Sequence, residues 1–324
     1  MNIAVITGGN SSEHAISVKS AGEVKKWLEQ TGFVCYLVII KGTDWTVKFD
    51  KQEYPVDKNY FGFKNGKEYI RFNYAYNIIH GTPGEDGKIQ GYLETMKIPY
   101  SGSGILSSSL TFNKYACKTF LKQHNILTAE AGLIRKGHPY DLEKIIENIG
   151  LPCFIKPNNG GSSFGITKVN HHDNLEAALQ TAFKEDDEVI LETYIKGIEV
   201  TCGVLKTRKE EFVFPVTEIV TRNEFFDFEA KYTTGKADEI TPARINNELF
   251  RKCQQLASTI YDLTFSKGLV RVDFIIKGNQ LYFLELNSVP GMTSESIIPK
   301  QIRAMGLEEK EILRKIVLDE MFEL

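Results

Sequence analysis

The sequence predicts an α/β protein of more than one domain, and three observations carry that reading. A strand, a helix and a second strand follow one another between residues 2 and 40. That is a βαβ unit, which needs a parallel sheet and a right-handed crossover. Short apolar strands keep alternating with helical segments along the rest of the chain. The length, 324 residues, suits two or three domains at roughly 100–200 residues each.

The first strand, NIAVI (2–6), ends at the turn Gly8-Gly9-Asn10-Ser11-Ser12. From Ala15 to Gln30 the residues Ile16, Ala21, Val24, Trp27 and Leu28 fall at helical spacing, and Gly32 closes the helix. FVCYLVII (33–40) reads as a buried strand. A polar, turn-rich stretch follows over about 41–68, and YAYNIIH (74–80) returns to the same sheet, giving an open parallel-sheet domain over 1–102. The Gly/Ser-rich segment Ser101–Ser109 marks a boundary. Helical patterns over 110–124 and 142–149 come next, then strands CFIKP (153–157) and GITKV (165–169) bracketing a Gly-rich loop. A helix near 173–184 and the strand EVILETY (188–194) complete a central domain, 103–193. The last domain, 194–324, alternates strands with a long helix near 247–264 and ends in a helical tail near 308–322.

Composition narrows the classes. Apolar residues are 42% and charged residues 25%, which is ordinary for a folded protein and excludes wholesale disorder. A net charge of −3 gives no electrostatic reason to expect nucleic acid or an anionic membrane as a partner. The longest apolar run, Phe33 to Ile40, is far short of the roughly 20 residues that span a bilayer. Met1 leads directly into a strand, with no basic n-region, so no export signal is expected. Five cysteines (35, 117, 153, 202 and 253), never in a C-x-x-C pair, fit free thiols in a cytoplasmic protein.

Three constellations could carry chemistry. LVRVDFII (269–276) and LYFLELN (281–287) are joined by Lys277-Gly278-Asn279-Gln280, the connection of an antiparallel hairpin. Period-two alternation sets Arg271 and Asp273 on one face, Glu285 and Asn287 together on the partner strand, and Val270, Val272, Phe274, Leu284 and Leu286 on an apolar face. Two carboxylates and an amide oxygen form a hard-oxygen set suited to Mg²⁺; the same pattern also suits an exposed charged sheet face with an Arg–Asp pair. The second constellation is Lys156-Pro-Asn-Asn-Gly-Gly-Ser-Ser-Phe-Gly165, whose backbone N–H groups can converge on an anion beside a fixed positive charge. It lacks the G-K-[ST] ending of a Walker loop. Alone it is a turn; with an Mg²⁺-type site downstream it reads as a nucleotide-phosphate lid. The third is HGTPGEDGKIQG (80–91), which places His80, Glu85 and Asp86 at a strand's C-terminal edge, where open α/β sheets bind ligands.

These residues resemble the D-alanine–D-alanine ligases of the ATP-grasp superfamily. Six segments match in the family's order: GGNSSEHAIS (8–17), HGTPGEDGKIQGYLE (80–94), KPNNGGSSFGITKV (156–169), FFDFEAKY (225–232), RVDF (271–274) and LELNSVPGMTSES (284–296). The resemblance implies a three-domain α/β fold in which two domains sandwich ATP, and a reaction that joins two D-alanines through an acyl phosphate for peptidoglycan precursors. Mg²⁺ or Mn²⁺, two ions, would be the cofactor and a homodimer the assembly. By the same resemblance, Glu13 receives the ammonium of the first D-alanine, His80 lies at the substrate, and Lys114, Lys156 and Lys231 contact phosphates. Glu192 and Ile195 lie at the adenine hinge, and Glu199 at the ribose. Asp273, Glu285 and Asn287 match the metal ligands, Arg271 and the Gly291 N–H the groups that polarise the reacting carboxyl, and Ser296 and Ile297 the second D-alanine's carboxylate pocket. Ser162 and Tyr232 match a pair that links with Glu13 to close lid and loop over the substrate. Three departures concern local contacts: Asn113 where an Asp is common, Thr193 where a Lys is common, and the uncharged Asn158-Asn159 in the lid. The nearest alternative is a D-alanine–D-lactate or D-alanine–D-serine ligase of the same fold.

Overall fold

A strand that is apolar on both faces belongs between two covering layers, and the first strand takes that place. The computed structural model describes residues 1–66, 68–161, 164–221 and 237–321. β1 (Asn2–Gly8) is buried from Ile3 onward, and α1 (His14–Glu29) carries the chain across to β2 (Val34–Lys41). β3 (Asp44–Phe49), β4 (Gln52–Pro55), the pair β5 (Gly62–Asn65) and β6 (Glu68–Arg71), and β7 (Tyr74–Asn77) follow. The sheet order is β4-β3-β2-β1-β7, with β1 parallel to β2 and β7, and with β3 and β4 added antiparallel. The stretch expected to be turn-rich therefore extends the sheet. Its strands are short and half-exposed, so few apolar positions signal them; Val47 is the buried residue of β3.

The helical pattern beyond the first sheet resolves into α2 (Lys88–Thr95), α3 (Ile105–Phe112) and α4 (Lys114–Lys122). α3 begins inside the Gly/Ser segment read as a boundary. Its hydroxyls bond back to earlier carbonyls (Ser108 to Ser103, Thr111 to Ser107), which lets a Ser-rich run stay helical. Asn113 is extended, breaks the run, and caps α4 by accepting the Ala116 N–H at 2.9 Å.

A second sheet, wholly antiparallel, contains β8 (Ala131–Arg135), β9 (Cys153–Pro157), β10 (Thr167–Val169) and β11 (Glu188–Thr193) in the order β10-β9-β11-β8. α5 (Leu142–Ile149) and α6 (Leu175–Ala182) cover it through Ile146, Ile149, Leu175 and Leu179. The third sheet comprises β12 (Ile198–Lys206), β13 (Glu211–Val213), β14 (Thr217–Thr221), β15 (Ala237–Ile240), β16 (Gly268–Lys277) and β17 (Gln280–Asn287). α7 (Asn247–Leu263) packs Cys253, Ala257 and Ile260 against Val270, Val272 and Phe274 of β16. The opposite face of β12, β16 and β17 carries Thr201, Arg271, Asp273, Glu285 and Asn287, with Leu205 and Leu269 at one end packed into a separate apolar cluster. α8 (Ile297–Ala304) approaches that sheet closely at Gly203, where any Cβ would stand 2.5 Å from Ile298 and 2.7 Å from the Gln301 amide oxygen. α9 (Glu309–Met321) returns to the first domain and packs on α1, joining Val24 and Leu28 with Ile312, Leu313, Ile316 and Val317 in one apolar cluster. Among the described residues no helix is long and apolar enough to cross a membrane, and all five cysteines are buried free thiols.

Candidate active site

The hairpin β16–β17 forms with Asp273 opposite Glu285 and Arg271 opposite Asn287, so the four polar residues share one face. Period two holds up to this point. Beyond it a β-bulge leaves Leu284 unpaired, and Phe283, opposite Phe274, takes the core place expected for Leu284. Arg271 grips Asp273 with two nitrogens, at 2.9 and 2.7 Å, while Thr201 on β12 donates to the same carboxylate at 2.5 Å and Asn287 at 3.0 Å. Burial works against the Arg271 guanidinium, but Asp273 beside it more than offsets this and raises its pKa, so it stays charged.

A second cluster lies between α4 and the second sheet. Glu192 on β11 is 3% exposed and is shared by two ammonium groups, Lys118 and Lys156, each at 2.6 Å. Burial alone would raise the Glu192 carboxyl; the two lysines overcome it and hold the pKa at about 2. Lys114 at the first turn of α4 donates to the Gly160 carbonyl and stands 3.7 Å from Glu285. A cation there opposes the helix dipole, so the local sequence is unfavourable for the helix and suits an anion instead. Asn158 stabilises this helix start, accepting the Tyr115 N–H on its side chain and the Lys114 N–H on its carbonyl.

Between the lid loop and the first domain lies a cleft of about 470 Å³, lined by Glu13, Gly81, Lys114, Gly160, Gly161 and Glu285 among others. Glu13 precedes α1 and is buried. Gly161 lies directly against Glu13: a Cβ built there would stand 2.9 Å from the Glu13 carboxylate. His80 turns both ring nitrogens to protein groups: Nδ1 lies 2.8 Å from the Val289 carbonyl and Nε2 3.5 Å from Ser20 Oγ. Burial lowers its pKa and favours the neutral ring. Glu85 accepts the Gly81 N–H at 2.8 Å and the Val289 N–H at 3.2 Å. Desolvation, helped by the charge of Glu13, pushes its pKa up to about 7.

Residues 2–103 match the D-ala D-ala ligase N-terminus family and residues 121–318 the D-ala D-ala ligase C-terminus family. A D-alanine--D-alanine ligase from Bacteroides fragilis is 46% identical over 318 residues, covering 98% of each chain. The chain belongs to the D-alanine–D-alanine ligase family. Its fold is the ATP-grasp fold of that family's solved structures. VanG D-Ala:D-Ser ligase from Enterococcus faecalis superposes with a TM-score of 0.87 at 34% identity, covering 98% of both chains. The ligase from Bacillus anthracis complexed with ATP superposes with a TM-score of 0.79 at 27% identity, covering 99% of this chain and 98% of that one.

In this ligase-family chain, the residues singled out from sequence fall into four groups, apart from His80, whose ring nitrogens face Val289 and Ser20. Glu13, Lys114 and Glu285 share the cleft, and Asp273, Arg271 and Asn287 flank Glu285 on the hairpin. Lys156 and Glu192 sit in the buried ion cluster; Ile195 and Glu199 follow, half-buried, at the start of the third sheet. Gly291, Ser296 and Ile297 lie at the entry to α8. There Ser296 Oγ accepts the Thr293 N–H at 3.1 Å and would meet a Cβ on Gly291 at the same distance. Ser162, Lys231 and Tyr232 lie outside the described residues. Thr193, at the position where a Lys is common, donates its hydroxyl to the Ile149 carbonyl at 2.7 Å. Sequence reasoning missed Lys118. Its signal was the buried stripe Lys114, Cys117, Lys118, Leu121 of α4, which sets two lysines at positions an ordinary helix fills with apolar residues.

Proposed function

We propose that this protein joins two D-alanines into D-alanyl-D-alanine with ATP, forming ADP and phosphate through an acyl phosphate, in the cytoplasm. The observation that carries the reading is the convergence on one cleft of Glu13, a carboxylate for a substrate ammonium, with the lid glycines, Lys114 and Glu285. The donor set on the hairpin fits Mg²⁺ or Mn²⁺: Asp273 and Glu285 are cross-strand partners, Asn287 is next on their face, and Thr201 holds Asp273 in a fixed orientation. Bound there, the ions would neutralise phosphate charge.

The chain's own residues then have distinct work. Glu13 holds the first D-alanine by its ammonium. Lys114 and Lys156, with Lys231, neutralise the phosphates, and Glu192, Ile195 and Glu199 receive the adenosine. Phosphoryl transfer of this kind depends on positioning and charge neutralisation, so no protein nucleophile is required. Arg271 leaves Asp273 to polarise the substrate carboxyl together with the Gly291 N–H, while Ser296 and Ile297 hold the second D-alanine's carboxylate. Ser162 and Tyr232 close lid and loop with Glu13, which keeps water from the acyl phosphate. In this reading 1–102 binds the first substrate, 103–193 covers the nucleotide, and 194–324 carries the catalytic hairpin.

The test compares phosphate release and product identity with D-alanine, L-alanine, D-serine and D-lactate. Release with D-alanine, absent with L-alanine, and D-alanyl-D-alanine as the main product is expected. The likeness to the Enterococcus D-Ala:D-Ser ligase favours one second reading. A mixed dipeptide dominating under equal D-alanine and D-serine would establish that reading instead.

A further inference from the structure

Three polar side chains from the first part of the chain converge on one short backbone segment, Val289 to Met292. Glu85 accepts the Val289 N–H at 3.2 Å on one carboxylate oxygen and the Gly81 N–H at 2.8 Å on the other. His80 Nδ1 is 2.8 Å from the Val289 carbonyl; a carbonyl only accepts, so this nitrogen carries the proton and Nε2 is left as an acceptor. Nε2 faces Ser20 Oγ at 3.5 Å, and that same oxygen accepts the Met292 N–H at 3.3 Å. Ser20 and His80 are buried, 0% and 6% exposed, so water does not compete for these groups. The His80 backbone is itself fixed, its N–H donating to Ser17 Oγ at 3.0 Å.

The segment so held is Ser288-Val-Pro-Gly-Met292, which is in neither strand nor helix. Gly291 has no side chain to anchor it, and its amide follows Pro290 and precedes the peptide whose N–H reaches Ser20. Bonds at Val289 and Met292 therefore fix the backbone on both sides of Gly291. We infer that Ser20, His80 and Glu85 are positioning residues, a three-point clamp by which the first domain aims the Gly291 N–H at the reacting carboxyl. The inference rests on the reaction proposed above and gives His80 a role through the backbone rather than on the substrate. An oxyanion donor works only where it is held; a displacement of about 1 Å costs ~10²-fold in rate.

Ser20→Ala, Glu85→Gln and the double variant test it in the full chain. Each single change is expected to lower kcat by ~10–100-fold at saturating substrates, with the KM for ATP unchanged. The double variant should lose less than the product of the two, because both act on one segment. Hydrogen–deuterium exchange of peptides spanning 288–293, measured without substrates, should be slow in the parent and faster in both variants. Both substitutions are near-isosteric; should Glu85→Gln not fold, Ser20→Ala and its exchange decide the matter. Unchanged kcat, unchanged exchange, or a loss confined to the KM for D-alanine would overturn the clamp. The exchange needs no turnover, so a parent protein that made no D-alanyl-D-alanine would overturn the proposed reaction separately.

Discussion

Glu192 bears an unusual load for one side chain. It is a nearly inaccessible carboxylate with two lysines at 2.6 Å, and both lysines belong to the region proposed for the nucleotide. Removing one partner of a buried ionic group leaves uncompensated charge, which typically costs ~3–5 kcal/mol. Glu192→Gln should therefore lower unfolding free energy by about that amount at neutral pH, measured by urea denaturation. The pH dependence has a definite sign. The folded pKa, about 2, lies below the unfolded value of 4.5, so the contribution is present above 4.5 and is lost as pH falls through about 2. The stability gap between parent and Glu192→Gln should accordingly narrow below pH 4.5. At this scale the sequence was half legible. Lys156 stood out within the Gly-rich motif and Glu192 only through the family resemblance, which put it at the adenine hinge, whereas Lys118 sits on a helix face whose charged residues ordinarily point to solvent. Only the stripe it shares with Cys117 and Leu121 tells otherwise.

Among the elements, the β16–β17 hairpin was the most readable, because period two is rigid and its Gly-Asn connection is short. Arg271, Asp273, Glu285 and Asn287 came together as the alternation required. The bulge at Leu284 was not readable, since one extra residue in an apolar run changes no pattern that alternation can detect. Its effect is nonetheless specific: it lets Phe283 fill the core while Glu285 still faces the cleft. Glu285→Gln keeps the shape and removes the charge, so turnover should be lost while the melting temperature stays within a few degrees. A folded Glu285→Gln protein with near-normal rate would remove Glu285 from the metal set. The break between α3 and α4 was illegible for a related reason: a capping Asn within a helical run looks like an ordinary polar residue until its backbone is seen to be extended.

On the scale of the whole molecule, the three larger sheets among the described residues were foreshadowed by strand and helix alternation, but their mutual packing was not. The helical tail was expected; its partner was not, because amphipathic spacing tells that a face is buried and never against what. α9 lays Ile312, Leu313, Ile316 and Val317 on α1 beside Val24 and Leu28, so the apolar cluster of the first domain is completed by the other end of the chain. Leu313 is 0% exposed. Leu313→Ala should cost ~2–5 kcal/mol, read from denaturant unfolding. It should affect both ends of the chain in one transition, which fluorescence of Trp27 on α1 would follow.

That packing also sets an order on the protein's birth. A growing chain generally folds its early domains as they leave the ribosome. Here part of the apolar flank of α1 is covered by α9, which lies beyond the third sheet in sequence and is translated after it. Closing that seam joins residues far apart in sequence, the kind of contact that goes with slower folding.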